Sequence, residues 1–459
     1  MKLRSASAWQ LLAVLASAAA YLGLAYATPR AAFGQVLALF GLALAGYALL
    51  LRRPLPLRWG LAVALGLRLL WLPAAPALSD DVYRFRWDGL LTAQGLNPFR
   101  HRPADIIADG GRRTLRTPAA RAALMPRLAP LYRQLNSPNY YSVYPPVCQY
   151  VFAAAASIFP QSASGFNWAL RLVILAAEAG TAWLLLALLA AWGQPPTRAY
   201  WYLLHPLPIV ELTGNLHFEA LVIFFVLLAL YLLQRGRWGL SAGALALGVA
   251  TKLLPLVLLP LLARTLGWRR LAAYSAAVAG GLLLLFGPFL SADLVAHIGR
   301  SLQLYFHSFE FNASLYYLLR GLGYWLTGYN QIGRIGPTLG LLAGLLILLL
   351  AYRARRPGPA AVPGRLLLAL TAYYLLATIV HPWYLTPLLA LSVFTGWRYP
   401  AAWAALAVLS YAAYQTSAYT ENLVLVAMEY AGTLLVLWLD YRAGRRAAAD
   451  AEASLEAAR

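Results

Sequence analysis

The sequence predicts an all-α, polytopic integral membrane protein, and three observations carry that prediction. Of its 459 residues, 61% are hydrophobic and 12% charged, where a soluble domain carries about 25% charged residues; the mean hydropathy is +0.62. Apolar stretches of about 15 to 27 residues recur from the N-terminal region to Tyr441. Such runs are too long for barrel strands, and a helix is the open-ended element that satisfies its own backbone polar groups in lipid. The expected architecture is a bundle of about 12–14 transmembrane helices with a large outer loop that contains juxtamembrane helices.

The first apolar run, from about Ala8 to Ala27, follows Lys2 and Arg4 as a signal sequence would. It is long, however, and "ATPRAAF" leads at once into a second run, so it is read as a retained first membrane helix. Basic residues set the orientation. Arg52/Arg53/Arg58, Arg235/Arg237, Arg264/Arg269/Arg270, Arg353/Arg355/Arg356 and Arg442/Arg445/Arg446 fall in short connections, and placing them with Lys2 and Arg4 in the cytoplasm satisfies the positive-inside rule. The chain then divides into N-terminal helices (1–78), a large outer loop with an acidic motif and juxtamembrane helices (79–165), a transmembrane core (166–290), an outer amphipathic loop (291–331), C-terminal helices (332–441) and a polar, Ala-rich cytosolic tail (442–459).

Parity refines this layout. If Tyr144 to Pro160 spanned the membrane, the run Phe166 to Trp192 would have to cross twice to keep Arg198 inside, and at 1.5 Å per residue it crosses once. Tyr144 to Pro160 is therefore expected on the outer surface. "ALALGVATKLLPLVLLPLLART" reads as a hairpin of two half-length helices turning near Lys252, and short helices at membrane depth line cavities.

Thirty-seven Lys and Arg against 16 Asp and Glu give a net charge of +21. In connecting loops that excess reports topology and anionic lipid, and no nucleic-acid-binding pattern accompanies it. Cys148 is the single cysteine, which excludes an internal disulfide and a multi-cysteine metal site.

Polar residues in so apolar a chain are costly, about 2.5 to 3.5 kcal/mol for an ion at mid-membrane, and mark candidate sites. "SDDVYRFRWDG" places three carboxylates, Asp80, Asp81 and Asp88, within nine residues. Asp80, Arg84 and Asp88 stand at i, i+4 and i+8, a salt-bridge ladder. Asp81 falls off that ladder and reads either as a catalytic carboxylate, with Asp80 in reserve, or as a helix-start charge. "HPLPIVELTGNLHFEAL" gathers Glu211, Asn215, His217 and Glu219 at an outward turn, where they could orient sugar hydroxyls, hold a divalent cation, or be a solvated turn. Lys252 is either a snorkelling lysine or a phosphate-binding cation. His381 and Tyr384 in "HPWYLTPLL" belong to an aromatic belt or to a binding site. Arg171 and Glu178, i and i+7, are expected to pair with each other or with neighbours in the bundle. "LYFHSFEFNASLYYLL", with Asn312, reads as an amphipathic segment able to cover a cavity that opens toward lipid.

In order along the chain, "SDDVYRFRWDGLLTAQGLNPF", "YSVYPPVCQYVF", "RLVILAAE", "HPLPIVELTGNLHFEAL", "TKLLPLVLLPLL", "FHSFEFNASLYYLL" and "HPWYLTPLL" resemble bacterial GT-C glycosyltransferases of the mannosyltransferase-like glycosyltransferase family 87 type. The likeness covers about Ser79 to Leu391. It implies a GT-C-like bundle in the bacterial cytoplasmic (inner) membrane with its active site facing the periplasm. It also implies an inverting transferase that takes a hexose, mannose by default, from a polyprenyl-phosphate-linked donor to a glycolipid, glycan or protein acceptor. The resemblance maps the catalytic acid onto Asp80/Asp81, of which spacing favours Asp81; the residues themselves offer Lys252, His381, Tyr384, His217, Glu211, Asn215, Glu219 and Asn312 as substrate contacts. No cofactor is predicted, and the sequence does not support a divalent metal. The family's "GNGHND"-like turn reads "GNLHFE" here, which leaves Glu219 without an assigned role. A flippase or transporter of a lipid-linked sugar is the alternative; it would more naturally show inverted repeats and no large acidic outer loop.

Overall fold

The computed structural model describes residues 7–354, 358–416 and 418–457; Lys2, Arg4, Arg355 and Arg356 lie outside them. Among the described residues the regular structure is helical, and the one extended contact is a parallel bridge between Phe311 and Ile379. The all-α polytopic fold is the one that composition predicts.

Two apolar helices, α1 (Ala8–Tyr26) and α2 (Phe33–Arg52), open the chain and pack on each other. A shorter helix, α3 (Leu57–Leu69), leads to the acidic motif, which begins α4 (Asp81–Thr92). The rest of the long loop carries α5 (Pro103–Ala108), α6 (Pro118–Tyr132) and α7 (Pro146–Ile158). Each of these three starts at a proline, whose missing N–H is an orphan in the first turn anyway. Helix α4 lies against α7 across Gly89, where a Cβ would come 2.5 Å from the carbonyl oxygen of Phe152. Helix α8 (Ala163–Ala191) then runs unbroken for 29 residues, the single span that parity requires, with α7 folded as a separate helix before it.

Among the described residues, seven helices are long and apolar enough to cross a membrane, and eight if the pair Pro206–Gly214 and Glu219–Gln234, bent by 113°, counts as one span. By length this is fewer than the 12–14 expected, because several apolar runs are broken into short pieces. After α9 (Glu219–Gln234) and the half-length α10 (Trp238–Val249), the chain turns at residues 250–253 into one-turn helices interrupted by Pro255 and Pro260, the hairpin expected near Lys252. The long helices α11 (Trp268–Phe286), α14 (Ile332–Tyr352) and α15 (Val362–Leu376) bracket two amphipathic ones, α12 (Leu294–His307) and α13 (Leu315–Thr327). Next come α16 (Thr386–Thr395), buried along nearly its whole length, and α17 (Tyr399–Leu406), which tightens into a 3₁₀ helix. The tail does not form a helix of its own: α18 runs on from Leu423 to Ala457.

Two buried ions on α8 hold the bundle, each through neighbours and not through each other. Glu178 takes the guanidinium of Arg68 at 2.8 and 3.0 Å and the hydroxyl of Tyr202 at 2.6 Å. Arg171 donates to four carbonyl oxygens, of Leu72, Ala74, Thr213 and Gly214, at 2.8 to 3.0 Å. Those carbonyls belong to the segment before α4 and to the π-helical turn Ile209–Gly214. One side chain thus fixes the acidic motif against the turn that carries His217.

Candidate active site

The loop ends of these helices enclose a chamber of about 740 Å³, within the size range of ligand sites. Its polar wall holds Asp80 and Asp81 at the start of α4, His217 and Glu219 at the start of α9, and Lys252 at the α10 turn. His381, Trp383 and Tyr384 stand beside them on the same wall, and Leu304, Leu339 and Ala343 make an apolar side at α12 and α14. Helix α13 lies outside this cover with Leu318, Leu322 and Trp325 exposed, as a segment facing lipid requires.

The three carboxylates of the opening motif divide. Asp88 is buried and receives Nε of Arg84 at 2.9 Å, together with Ser142 and Gln149. Asp80 does not use Arg84, contrary to the ladder that spacing suggested; its partner is Arg30, 2.8 Å away, from the α1–α2 connection. Asp81 takes neither cation. Its Oδ1 accepts from Nδ2 of Asn136 at 2.9 Å, and its Oδ2 stands 3.9 Å from Nε2 of His217.

His217 is aimed by a strained turn. Leu216 is held at φ 65°, a left-handed conformation unusual for leucine, and Gly214 is required where a Cβ would come 2.7 Å from the ring of Trp71. Nδ1 of His217 lies 3.0 Å from the carbonyl oxygen of Glu211 and 3.2 Å from its Oε2. The imidazole stacks on Trp383 at 3.8 Å, and His381 covers the other face of that indole at 4.3 Å. Burial, with Lys252 and His217 nearby, pushes the His381 imidazolium down to about 3, so this ring is neutral at physiological pH.

Lys252 lines the chamber as half of an ion pair. Its ammonium is paired with Glu219, brought from 33 residues earlier in the chain, and lies 3.8 Å over the ring of Tyr384. Arg84 also lines the chamber: Nη1 donates to the carbonyl oxygens of Ser137 and Tyr140 at 3.1 Å, while Nη2 is buried without a protein partner.

Of the ten residues singled out from sequence, seven share this wall: Asp80, Asp81, His217, Glu219, Lys252, His381 and Tyr384. Glu211, Asn215 and Asn312 do not line it. Glu211 is buried behind His217 and bonded by Tyr411 and Asn215; Asn215 accepts from the amide of Leu78 at 3.2 Å. Asn312, at φ 47°, ties the segment after α12 to Glu429 and to the carbonyl oxygen of Val380 at 3.1 and 3.2 Å. Among the described residues no three His, Cys, Asp or Glu side chains gather as a metal ion would need. Sequence reasoning missed Arg30 and Asn136 as chamber residues; the charge of Arg30 in a turn expected outside, against positive-inside, was the one available signal.

Fold and chamber together define a polytopic, helical membrane protein with a carboxylate-bearing pocket between its long loops and an amphipathic cover. Residues 5–268 match the family described as alpha-(1->6)-mannopyranosyltransferase, N-terminal domain, and the chain belongs to that family. It is also 26% identical over 174 residues to Alpha-(1->6)-mannopyranosyltransferase B of Corynebacterium glutamicum. That alignment covers 36% of this chain and 26% of the relative.

Proposed function

We propose that this protein is an inverting mannosyltransferase of the cytoplasmic membrane. It would take mannose from a polyprenyl-phosphate carrier and pass it to a glycan or glycolipid hydroxyl on the outer face. The observation that carries this reading is Asp81, a chamber carboxylate held by an amide and left without a lysine or arginine. A single displacement needs such a group to accept the acceptor's proton as the oxygen attacks C1. The C1–O bond to phosphate breaks in the same step, and its electron pair stays on the lipid phosphate, where Arg84, a cation that lines the chamber, would meet the developing charge. The apolar side under α12 suits the carrier's isoprenoid chain. If the product is α-linked, as in the names of the family and of the relative, inversion requires a β-linked donor.

The test is transfer by purified protein in detergent, from labelled polyprenyl-phosphate β-mannose to octyl α-mannoside, with the product's anomeric configuration read by NMR. An α-linked product supports the proposal. Movement of the carrier across reconstituted vesicles with no product would favour the flippase instead.

A further inference from the structure

Glu211, Asn215 and Tyr411 form a buried group behind His217 that proton acceptance by Asp81 alone does not use. Glu211 is fully buried; Oε1 accepts from the hydroxyl of Tyr411, and Oε2 faces both Nδ2 of Asn215 and Nδ1 of His217, each at 3.2 Å. With two acceptors at Nδ1, the imidazole carries its proton there, and Nε2 presents a lone pair. Nε2 is buried, has no protein partner, and lies 3.9 Å from Oδ2 of Asp81. That separation is too long for a direct hydrogen bond, but a hydroxyl oxygen set beside the pair at about 2.8 Å from each can donate its one proton to either, and a water in the same place, which can donate twice and also accept, bridges them.

We propose that the acceptor hydroxyl binds between Oδ2 of Asp81 and Nε2 of His217, and that His217, held by Glu211, receives the proton the acceptor loses. This rests on the mannosyl-transfer reading above. The acceptor O–H bond breaks toward Asp81, the oxygen's electron pair forms the bond to C1, and the C1–O bond to phosphate breaks with its pair on the leaving phosphate. Once the product leaves, a water in the vacated place carries that proton on, accepting it from the Asp81 carboxyl as it donates one to Nε2. Asp81 is again an anion, His217 is an imidazolium facing Glu211, and the phosphate carries the balancing extra negative charge. Glu211 is the positioning residue and His217 the catalytic one. The other groups facing the imidazole are Glu219 from α9 and neutral His381 across Trp383, with Lys252 beyond Glu219.

The test is the pH profile of kcat and KM for the full-length protein, with polyprenyl-phosphate mannose and octyl α-mannoside as probes. His217→Gln is expected to lower kcat about 100-fold, the scale of one general acid–base group, with KM for both substrates little changed. Glu211→Gln removes the anion that favours the imidazolium, so it lowers kcat about tenfold and moves the acid limb to lower pH. Tyr411→Phe, which takes one donor from Glu211, moves the limb to higher pH and serves if Glu211→Gln does not fold. The idea is overturned if these variants keep kcat within twofold at every pH, or if they lose activity equally at all pH values with the limb unmoved. If the unaltered protein transfers no mannose, the functional reading itself fails and this inference falls with it.

Discussion

A guanidinium nitrogen of Arg30 lies 2.8 Å from Oδ2 of Asp80, and that contact separates two adjacent carboxylates that sequence alone could only rank. Both partners are partly exposed, so the pair is worth about 1 kcal/mol or less. Asp81→Asn is expected to cut kcat by at least about 100-fold with an unchanged melting temperature, because the proton acceptor is lost. Asp80→Asn and Arg30→Gln should resemble each other, each lowering kcat less than about tenfold. Steady-state rates on the three variants decide it; a dead Asp80→Asn beside an active Asp81→Asn would reverse the assignment.

Lys252 and Glu219 are predicted to act as one unit. Lys252→Met leaves the buried Glu219 carboxylate without its cation, so the single variant should lose stability and activity. Adding Glu219→Gln should restore much of both, with a coupling energy of about 0.5 to 3 kcal/mol in a double-mutant cycle. If Lys252 instead held the donor phosphate, the double variant would keep the raised donor KM of Lys252→Met. Measuring donor KM and melting temperature across the four proteins separates the two roles.

Much of this architecture was legible because lipid forces it. Run length and parity marked α8 as one span, and the basic residues Arg237 and Arg264, both placed on one side, gave the half-length hairpin. Asp81 was separable from Asp88 by helical spacing, since Arg84 and Asp88 meet at i, i+4. What spacing could not reach were partners from far along the chain. Arg30 lies 50 residues before Asp80, Glu219 reaches Lys252 across the α9–α10 hairpin, and Glu178 finds Arg68 rather than Arg171. Asn312 misled for a related reason: a polar residue in an outer amphipathic segment reads as exposed, whereas here it is fully buried as the tie between that segment and α18.

The Arg68–Glu178 pair should matter to the fold and not to the chemistry. Both side chains are almost completely buried, and removing one ion strands the other. Glu178→Gln is expected to destabilise by about 3 to 5 kcal/mol, while Tyr202→Phe, which removes one donor to the carboxylate, costs about 1 to 3 kcal/mol. Replacing both ions by Met and Leu should recover most of the loss, since packed apolar side chains can substitute for a buried pair. Denaturation in detergent reads these differences; an undiminished midpoint for Glu178→Gln would remove the pair from the account of the bundle.

The orientation can be tested without substrate. Cys148 is buried, and a Cys148→Ala background leaves no native thiol to label. Gly110 and Ser308 are exposed on the two loops that the basic residues place outside, and Arg353 is exposed at the opposite end of α14. A membrane-impermeant maleimide applied to intact cells should therefore label Gly110→Cys and Ser308→Cys, and should reach Arg353→Cys only after permeabilisation. The geometry makes the result diagnostic for the chamber as well. Ser308 follows directly on α12, whose Ser301 and Leu304 line the chamber wall, so the side on which Ser308 is labelled is the side on which Asp81 meets its acceptor. Labelling of Arg353→Cys alone in intact cells would put the chamber in the cytoplasm, and with it any acceptor.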